Sequence, residues 1–182
     1  MSNFIEYVRE FGDRCDFSIT LARVQDNLPL IYVNEHFSHL TKYSSSESLE
    51  KNCRFLQGPD TGEKQIQGFS SGFKSEKAFF QDILNYTKSN TPFINRVIIL
   101  PVFHQEDGKY FIGIQNKISC SDIDTYNFLN LTDIALQSDD LEHYINNPLA
   151  IIQGMPSDKI GPAIERIIKF IAEIETFSPI QK

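Results

Sequence analysis

The sequence predicts an α+β protein, in which a five-stranded antiparallel sheet with flanking helices over one face is followed by an all-α helical hairpin. Two apolar strand patterns come first, then helical segments, then three more strand patterns. Turn signals between neighbouring strands favour antiparallel pairing. With 182 residues, of which 41% are hydrophobic, the chain can bury a core in one domain with appendages. We divide it into a cap helix (1–16), a sheet domain (17–118) and a helical hairpin (119–182).

The first elements are a short helix and a hairpin of strands. Apolar residues at helical spacing, including Phe4, Val8 and Phe11, predict an amphipathic helix over residues 3–15. Two apolar runs at 17–22 and 28–33 predict strands, and the turn residues at 25–27 join them as a hairpin.

Helices are predicted to occupy the middle of the sheet domain. Two short ones are expected at 35–41 and 46–51, the second entered through serines that can cap its first turn. A longer helix is expected at 62–74. Its glycines, Gly68 and Gly72, lower its intrinsic helix propensity, so tertiary contacts must hold it in place.

Composition and charge limit the kinds of partner and the cellular location that we expect. A net charge of −7 and a pI near 5.1, without a block of basic residues, indicate no nucleic-acid partner and no membrane partner. The chain has three cysteines, Cys15, Cys53 and Cys120, which are far apart and do not indicate a disulfide framework. The first residues do not form a secretory signal. No run approaches the ~20 apolar residues of a membrane helix. We therefore expect a cytoplasmic location.

The segment Asn52–Gln57, N-C-R-F-L-Q, places a thiol beside an arginine and two side-chain amides. A lone cysteine is often simply a buried structural residue, and these six residues alone leave that alternative open for Cys53. The hexapeptide resembles the flavin-binding signature of LOV photoreceptors, a branch of the PAS superfamily. The resemblance implies that FMN is bound non-covalently in the dark and that Cys53 adds to the flavin ring after blue light.

The downstream strands extend the resemblance. Residues 84–86 and 92–119 are similar to the last three strands of the LOV pattern, and Asp107 with Gly108 forms the hairpin turn signal between the last two. Side-chain amides suit the polar edge of a flavin because each offers both a donor and an acceptor. Together with the catalytic Cys53, the resemblance implies a set of FMN-binding residues, namely Asn52, Arg54, Leu56, Gln57, Ile66, Gln67, Asn85, Asn95, Val97 and Gln115. Within this set, Arg54 is expected at the phosphate and Gln115 at the ring nitrogen that gains a proton.

Two positions depart from the LOV pattern. Glu50 stands where the family usually has a glycine, so the chain before the motif must close without an easy left-handed residue. Ser70 replaces a second phosphate-binding arginine, with Gln67, Lys64 and Lys74 as candidate substitutes. A metal site is not predicted: His36 and His39 are three residues apart on a helix, but no carboxylate or cysteine follows at suitable spacing.

The segment after Ser119 carries a second resemblance. His143, followed by the N-P-L triplet at 147–149, is similar to the phosphoacceptor box of sensor histidine kinases. Apolar residues in steps of four and three from Ile160 to Ile174, and again from Leu141 to Ile152, are typical of a helical-bundle seam. We expect two such hairpins to form a homodimer.

The role of His143 stays open between a phosphoacceptor served by a separate kinase, a relic on a dimerisation hairpin, part of a longer kinase, and a solvated helix histidine. Tyr144 replaces the acidic residue that normally follows the histidine, and no nucleotide-binding motif follows. We therefore expect a photosensory protein without autonomous kinase activity, whose partners include a histidine kinase or response regulator. The alternatives are a phosphotransfer or kinase-like two-component protein, and a redox flavoprotein that forms no thiol bond to its flavin.

Overall fold

The computed structural model describes residues 4–75, 77–104 and 108–118. The predicted hairpin at 119–182, with His143 and Cys120, lies outside these residues. The described elements are, in chain order, α1 (Phe4–Gly12), β1 (Ser18–Arg23), β2 (Leu30–Val33), α2 (Glu35–Thr41), α3 (Ser45–Ser48), a 3₁₀ turn (Cys53–Leu56), α4 (Glu63–Ser75), β3 (Phe79–Tyr86), β4 (Pro92–His104) and β5 (Gly108–Ile118).

The five strands form one antiparallel sheet in the order β2-β1-β5-β4-β3, which confirms the predicted sheet. β4 and β5 pair from Ile94 opposite Ile118 to His104 opposite Gly108. Gly108 has φ of +100°, a backbone conformation that suits glycine, so the predicted turn signal lies where this hairpin reverses. β5 lies between β1 and β4 and joins the two halves of the sheet.

Alternating residues of the sheet face two separate environments. On one face, Ile19 and Leu21 of β1 pack in a core that includes Phe4 and Val8 of α1, and all of these are fully buried. On the other face, Thr20 and its alternating neighbours turn toward the elements between β2 and β3. The elements between β2 and β3 thus lie over one face of the sheet, as expected, and α1, to which the sequence assigned no face, covers the opposite one. Its apolar stripe is wide enough to require burial of its own.

Helix α4 lies close against β3 because two of its residues lack side chains. A Cβ atom added at Gly68 would lie 2.4 Å from Oε1 of Gln81, and one added at Gly72 would lie 2.7 Å from the ring of Phe79. Both distances are too short for a real side chain. The expectation that tertiary packing offsets the poor helix propensity of this segment is consistent with this close approach.

Asn34 ties three elements together at the start of α2. Its Oδ1 accepts hydrogen bonds from the backbone N–H groups of Phe37 and Ile19, both at 3.0 Å. Its Nδ2 donates to the carbonyl oxygens of Gly12 and Phe17, both at 2.8 Å. Asn34 therefore acts as a helix cap and also fixes the end of α1 to β1.

The helix between α2 and the Asn52–Gln57 motif is shorter than predicted. Ser44 caps α3 in a capping box with Glu47, as the serine run indicated. The helix nevertheless ends at Ser48, because Leu49 has an extended ψ of 150° and Glu50 has φ of +61°. Cys53 then begins a single 3₁₀ turn.

Candidate functional site

A cavity that opens to solvent lies between the sheet and the segments that connect β2 to β3. Most of the side chains that the sequence assigned to the site line it, namely Asn52, Cys53, Arg54, Leu56, Gln57, Asn85, Asn95, Val97 and Gln115.

Ile66 and Gln67 do not line this cavity, although the sequence assigned them to the site. Both lie on α4 and are exposed, Ile66 by 36%. The helix instead turns Phe69 and Phe73 toward the cavity. Gln67 points away from the helix face that carries Phe69 and Phe73, whereas Ile66 shares that face but lies near the start of α4, before the residues of this helix that line the cavity.

The polar wall of the cavity is a chain of side-chain amides. Asn95 donates through Nδ2 to Oδ1 of Asn85 at 3.0 Å and to Oε1 of Gln115 at 2.9 Å. Gln115 in turn donates through Nε2 to the hydroxyl of Thr20 at 3.3 Å. All four residues are buried. Within the described residues, Oδ1 of Asn95 is buried without a hydrogen-bond partner, so this wall has an unused acceptor.

The side chain of Asn52 fixes the position of Cys53. Oδ1 of Asn52 accepts from the backbone N–H of Arg54 at 2.9 Å, which caps the 3₁₀ turn. Nδ2 of Asn52 donates to the carbonyl oxygen of Asn27 at 2.7 Å and fixes this turn to the β1–β2 loop. Part of the Cys53 residue is exposed, but burial of its thiol raises the pKa to about 12. The thiol is therefore protonated at neutral pH.

The loop before Cys53 is attached to β2 through backbone hydrogen bonds. Glu50 donates to the carbonyl oxygen of Leu30, and Leu30 donates to that of Lys51, both at 2.9 Å. Glu50 adopts the left-handed conformation with φ of +61°. This is the position at which the sequence lacked the usual glycine, so the predicted conflict between residue type and backbone is present.

Among the described residues that line this cavity, Arg54 is the one with a positively charged side chain, and it is exposed. Ser70 turns its hydroxyl to its own helix, where it donates to the carbonyl oxygen of Ile66 at 3.1 Å. The candidate substitutes Lys64, Gln67 and Lys74 are all exposed residues of α4 outside the cavity lining. An anionic group of a ligand bound in this cavity would therefore pair with Arg54.

Several lining residues were not predicted from the sequence. Phe69, Phe73 and Phe111 supply aromatic walls, with the rings of Phe73 and Phe111 4.9 Å apart at their centroids. Thr20 extends the amide chain. The alternation of small or polar residues with apolar ones from Ser18 to Ala22 was the signal that one face of β1 differs from the other.

The histidines of α2 lie near one another and near a carboxylate of the same helix. The rings of His36 and His39 are 6.1 Å apart at their centroids, and Nε2 of His39 lies 3.4 Å from Oε1 of Glu35. Within residues 4–75, 77–104 and 108–118, no group of three or more histidine, cysteine or acidic side chains is placed to hold a metal ion.

None of the helices in the described ranges has the length and apolar character needed to cross a bilayer.

The cavity fits a flat heteroaromatic ligand with a polar edge. Aromatic and aliphatic side chains form its walls, and the amide chain offers donors and acceptors along one side. The unpaired Oδ1 of Asn95 can accept a hydrogen bond from an N–H group such as the one that the ring imide of a flavin carries. Arg54 at the exposed end suits a terminal phosphate. On these observations the residues present fit FMN.

The chain is similar to known proteins of one family. A family model described as a PAS domain matches residues 16–123. Blue-light-activated histidine kinase 2 of Erythrobacter litoralis is 32% identical over 152 residues, which is 82% of this chain and 43% of the relative. A blue-light-activated histidine kinase of Brucella anthropi is 49% identical over 103 residues, 56% of this chain and 21% of the relative. The chain thus spans less than half the length of these curated relatives.

A solved structure shares the fold. The LOV domain of a blue-light activated histidine kinase from Erythrobacter litoralis superposes with a TM-score of 0.55 and 35% sequence identity, covering 58% of this chain and 99% of that domain.

Proposed function

Because the chain belongs to the PAS domain family, we propose that it is a blue-light photoreceptor that binds FMN and bonds it reversibly through Cys53. The observation that carries the proposal is that the Cys53 thiol and the amide wall of Asn85, Asn95 and Gln115 line one cavity. The names of the relatives, which include blue-light-activated kinases, support light as the signal.

Different residues of this chain would bind different parts of the cofactor. Asn85, Asn95 and Gln115 would bind the polar ring edge, and Oδ1 of Asn95 would gain the donor that it lacks. Phe69 and Phe111 would enclose the ring, and Arg54 would bind the phosphate through charge-assisted hydrogen bonds. Asn52 already uses both ends of its amide on the backbone, so its main contribution is to place Cys53.

Cys53 contributes position more than reactivity. Its raised pKa keeps the thiol neutral at physiological pH, so it does not attack a ground-state ring as a thiolate. When bound, the flavin would absorb blue light and accept the Cys53 sulfur at a ring carbon and the thiol proton at a ring nitrogen. The chain supplies the distance and orientation that make this event frequent. Gln115 faces the same region and can exchange donor for acceptor by turning its amide.

The test is the light response of the flavin-loaded chain. The unsubstituted protein should be yellow, should bleach in blue light and should recover in the dark. A Cys53→Ser variant should keep its flavin but lose reversible bleaching, because the amides and Arg54 provide the affinity. Cys15→Ala is the matched control: this buried cysteine lies in the core on the opposite face of the sheet. A Cys53→Ser protein that still bleaches and recovers would disprove the assignment, and a colour that responds only to reductant would favour the redox flavoprotein.

The output proposed for the chain is a homodimer formed by residues 119–182. The match to the kinase of Erythrobacter litoralis covers 82% of this chain, so it extends past the end of the PAS match at residue 123. This supports a kinase-like segment there. Substituting Ile164 and Ile171 of the predicted seam with Asp should give a monomer by light scattering, whereas Lys169→Asp, off the seam, should not. Equal masses for both variants would refute the proposed interface.

The second candidate function is two-component signalling through His143, and the kinase names of the relatives favour it. Incubation of the chain with a phosphodonor or a partner kinase should label it, and His143→Gln should abolish the label. The expectation that the chain has no autonomous kinase activity stays a prediction, which incubation with labelled ATP alone tests. A cytoplasmic location, and the absence of nucleic-acid or membrane partners, also stay predictions.

A further inference from the structure

Ser18 is a buried serine whose hydroxyl has no hydrogen-bond partner within the described residues. It is 3% exposed and begins strand β1. Alternation places Ser18 on the same face as Thr20, which lines the cavity, and opposite to Ile19, which lies in the other core. A buried hydroxyl without a partner costs free energy, so a reason for its presence is needed.

Ser18 lies directly opposite Gln115 in the pairing of β1 with β5. Directly opposed residues of an antiparallel pair have Cβ atoms roughly 4.5 to 5.5 Å apart and share one face. A glutamine amide and a serine hydroxyl on such a pair are within reach of each other after a side-chain rotation. Ser18 is therefore a neighbour of the residue on which the amide wall ends.

The present partners of Gln115 suit only one orientation of its amide. Its Oε1 accepts from Nδ2 of Asn95 at 2.9 Å, and its Nε2 donates to Oγ1 of Thr20 at 3.3 Å. If the amide turns over, its oxygen meets the Thr20 hydroxyl, which can rotate to donate. Its nitrogen then meets Nδ2 of Asn95, which is another donor. Because β5 lies between β1 and β4, the reversed amide turns its oxygen toward β1, where a second hydroxyl can also donate to it.

The Ser18 hydroxyl, also on β1, has no hydrogen-bond partner among the described residues. We propose that Ser18 is a positioning residue that stabilises the reversed orientation of Gln115 by donating a hydrogen bond to its Oε1. This rests on the proposed function, because the amide would reverse when the neighbouring ring nitrogen gains its proton. The hydroxyl is unsatisfied in the dark arrangement and satisfied in the lit one, so it biases the pair toward the lit arrangement and prolongs it.

The experiment compares dark recovery after blue light in the full chain loaded with FMN. Ser18→Ala should recover about tenfold faster, as expected when about one net hydrogen bond is lost from the lit arrangement. Ser18→Thr retains the hydroxyl and should recover at nearly the original rate. In a Gln115→Leu background, Ser18→Ala should change the rate less than twofold, because the residue through which Ser18 acts is gone.

A second measurement does not depend on the photocycle. In the flavin-free chain, Ser18→Ala should unfold at a higher urea concentration than the unsubstituted protein, since it removes an unpaired hydroxyl from the interior. The inference is overturned if the protein bleaches but Ser18→Ala recovers at the original rate, or if it accelerates recovery equally without Gln115. An unchanged urea midpoint also overturns it. A protein that never bleaches would instead overturn the proposed function and this inference with it.

Discussion

Replacing Asn34 with Ala should be among the most damaging single changes in the sheet domain. Asn34 is 2% exposed and both atoms of its amide make two hydrogen bonds to backbone groups, at distances of 2.8 to 3.0 Å. Alanine would leave the N–H groups of Ile19 and Phe37 and the carbonyls of Gly12 and Phe17 without these partners. The loss is structural, since Asn34 does not line the cavity.

The size of the effect follows from the four hydrogen bonds. Each intramolecular hydrogen bond contributes about 0.5 to 1.5 kcal/mol net, so together they contribute roughly 2 to 6 kcal/mol. Partial relaxation and water entry at the end of α1 should limit the loss to about 4 kcal/mol. That is a large share of the typical ~5 to 15 kcal/mol that stabilises a domain. Urea unfolding of the flavin-free chain, followed by far-ultraviolet circular dichroism, measures the loss.

Ser44→Ala provides the matched control for Asn34→Ala. Ser44 also caps a helix, α3, but it is exposed, so its removal should cost only ~1 kcal/mol. If Asn34→Ala costs no more than Ser44→Ala, burial and the links to α1 and β1 do not contribute as argued, and the reasoning fails.

Two further predictions concern the segment that carries the thiol. Glu50→Gly should stabilise the protein by up to ~1 kcal/mol, because glycine relieves a left-handed residue with φ of +61° but loses more chain entropy on folding. Glu50→Ala should give no such gain, and equal urea midpoints for the two variants would contradict the strain argument. Because burial raises the pKa of the Cys53 thiol to about 12 from about 9, the unfolded chain ionises first, and stability falls as pH rises from about 9 toward 12. Cys53→Ala should therefore lose less stability between pH 8 and pH 10.5 than the unsubstituted chain, and parallel stability profiles would refute this.

Much of the sheet could be predicted because its signals are local. Alternating strands and the turn at Gly108 gave the strand count and the antiparallel pairing, and the hexapeptide around Cys53 indicated the site. The contact between Thr20 and Gln115 was missed, since the two residues are 95 positions apart and meet only through the pairing of β1 with β5. Local patterns do not carry that register.

The position of a helix relative to a cavity is equally hard to obtain from sequence. Ile66 was predicted to line the cavity, and it shares a helix face with Phe73, but it lies about two turns nearer the start of α4, where it is exposed. The sequence also assigned α1 to neither face of the sheet, because an apolar stripe shows that a helix is buried without showing against which surface.

The position of β5 between β1 and β4 determines when the site can exist during synthesis. Without residues 108–118, the chain holds two separate hairpins, β1 with β2 and β3 with β4, each with an exposed edge. Gln115 and Phe111 arrive only with this last strand, so the cavity is completed after every other part of the domain has left the ribosome. Flavin loading is then a late event, and a nascent chain stalled before β5 would present two unpaired edges open to aggregation.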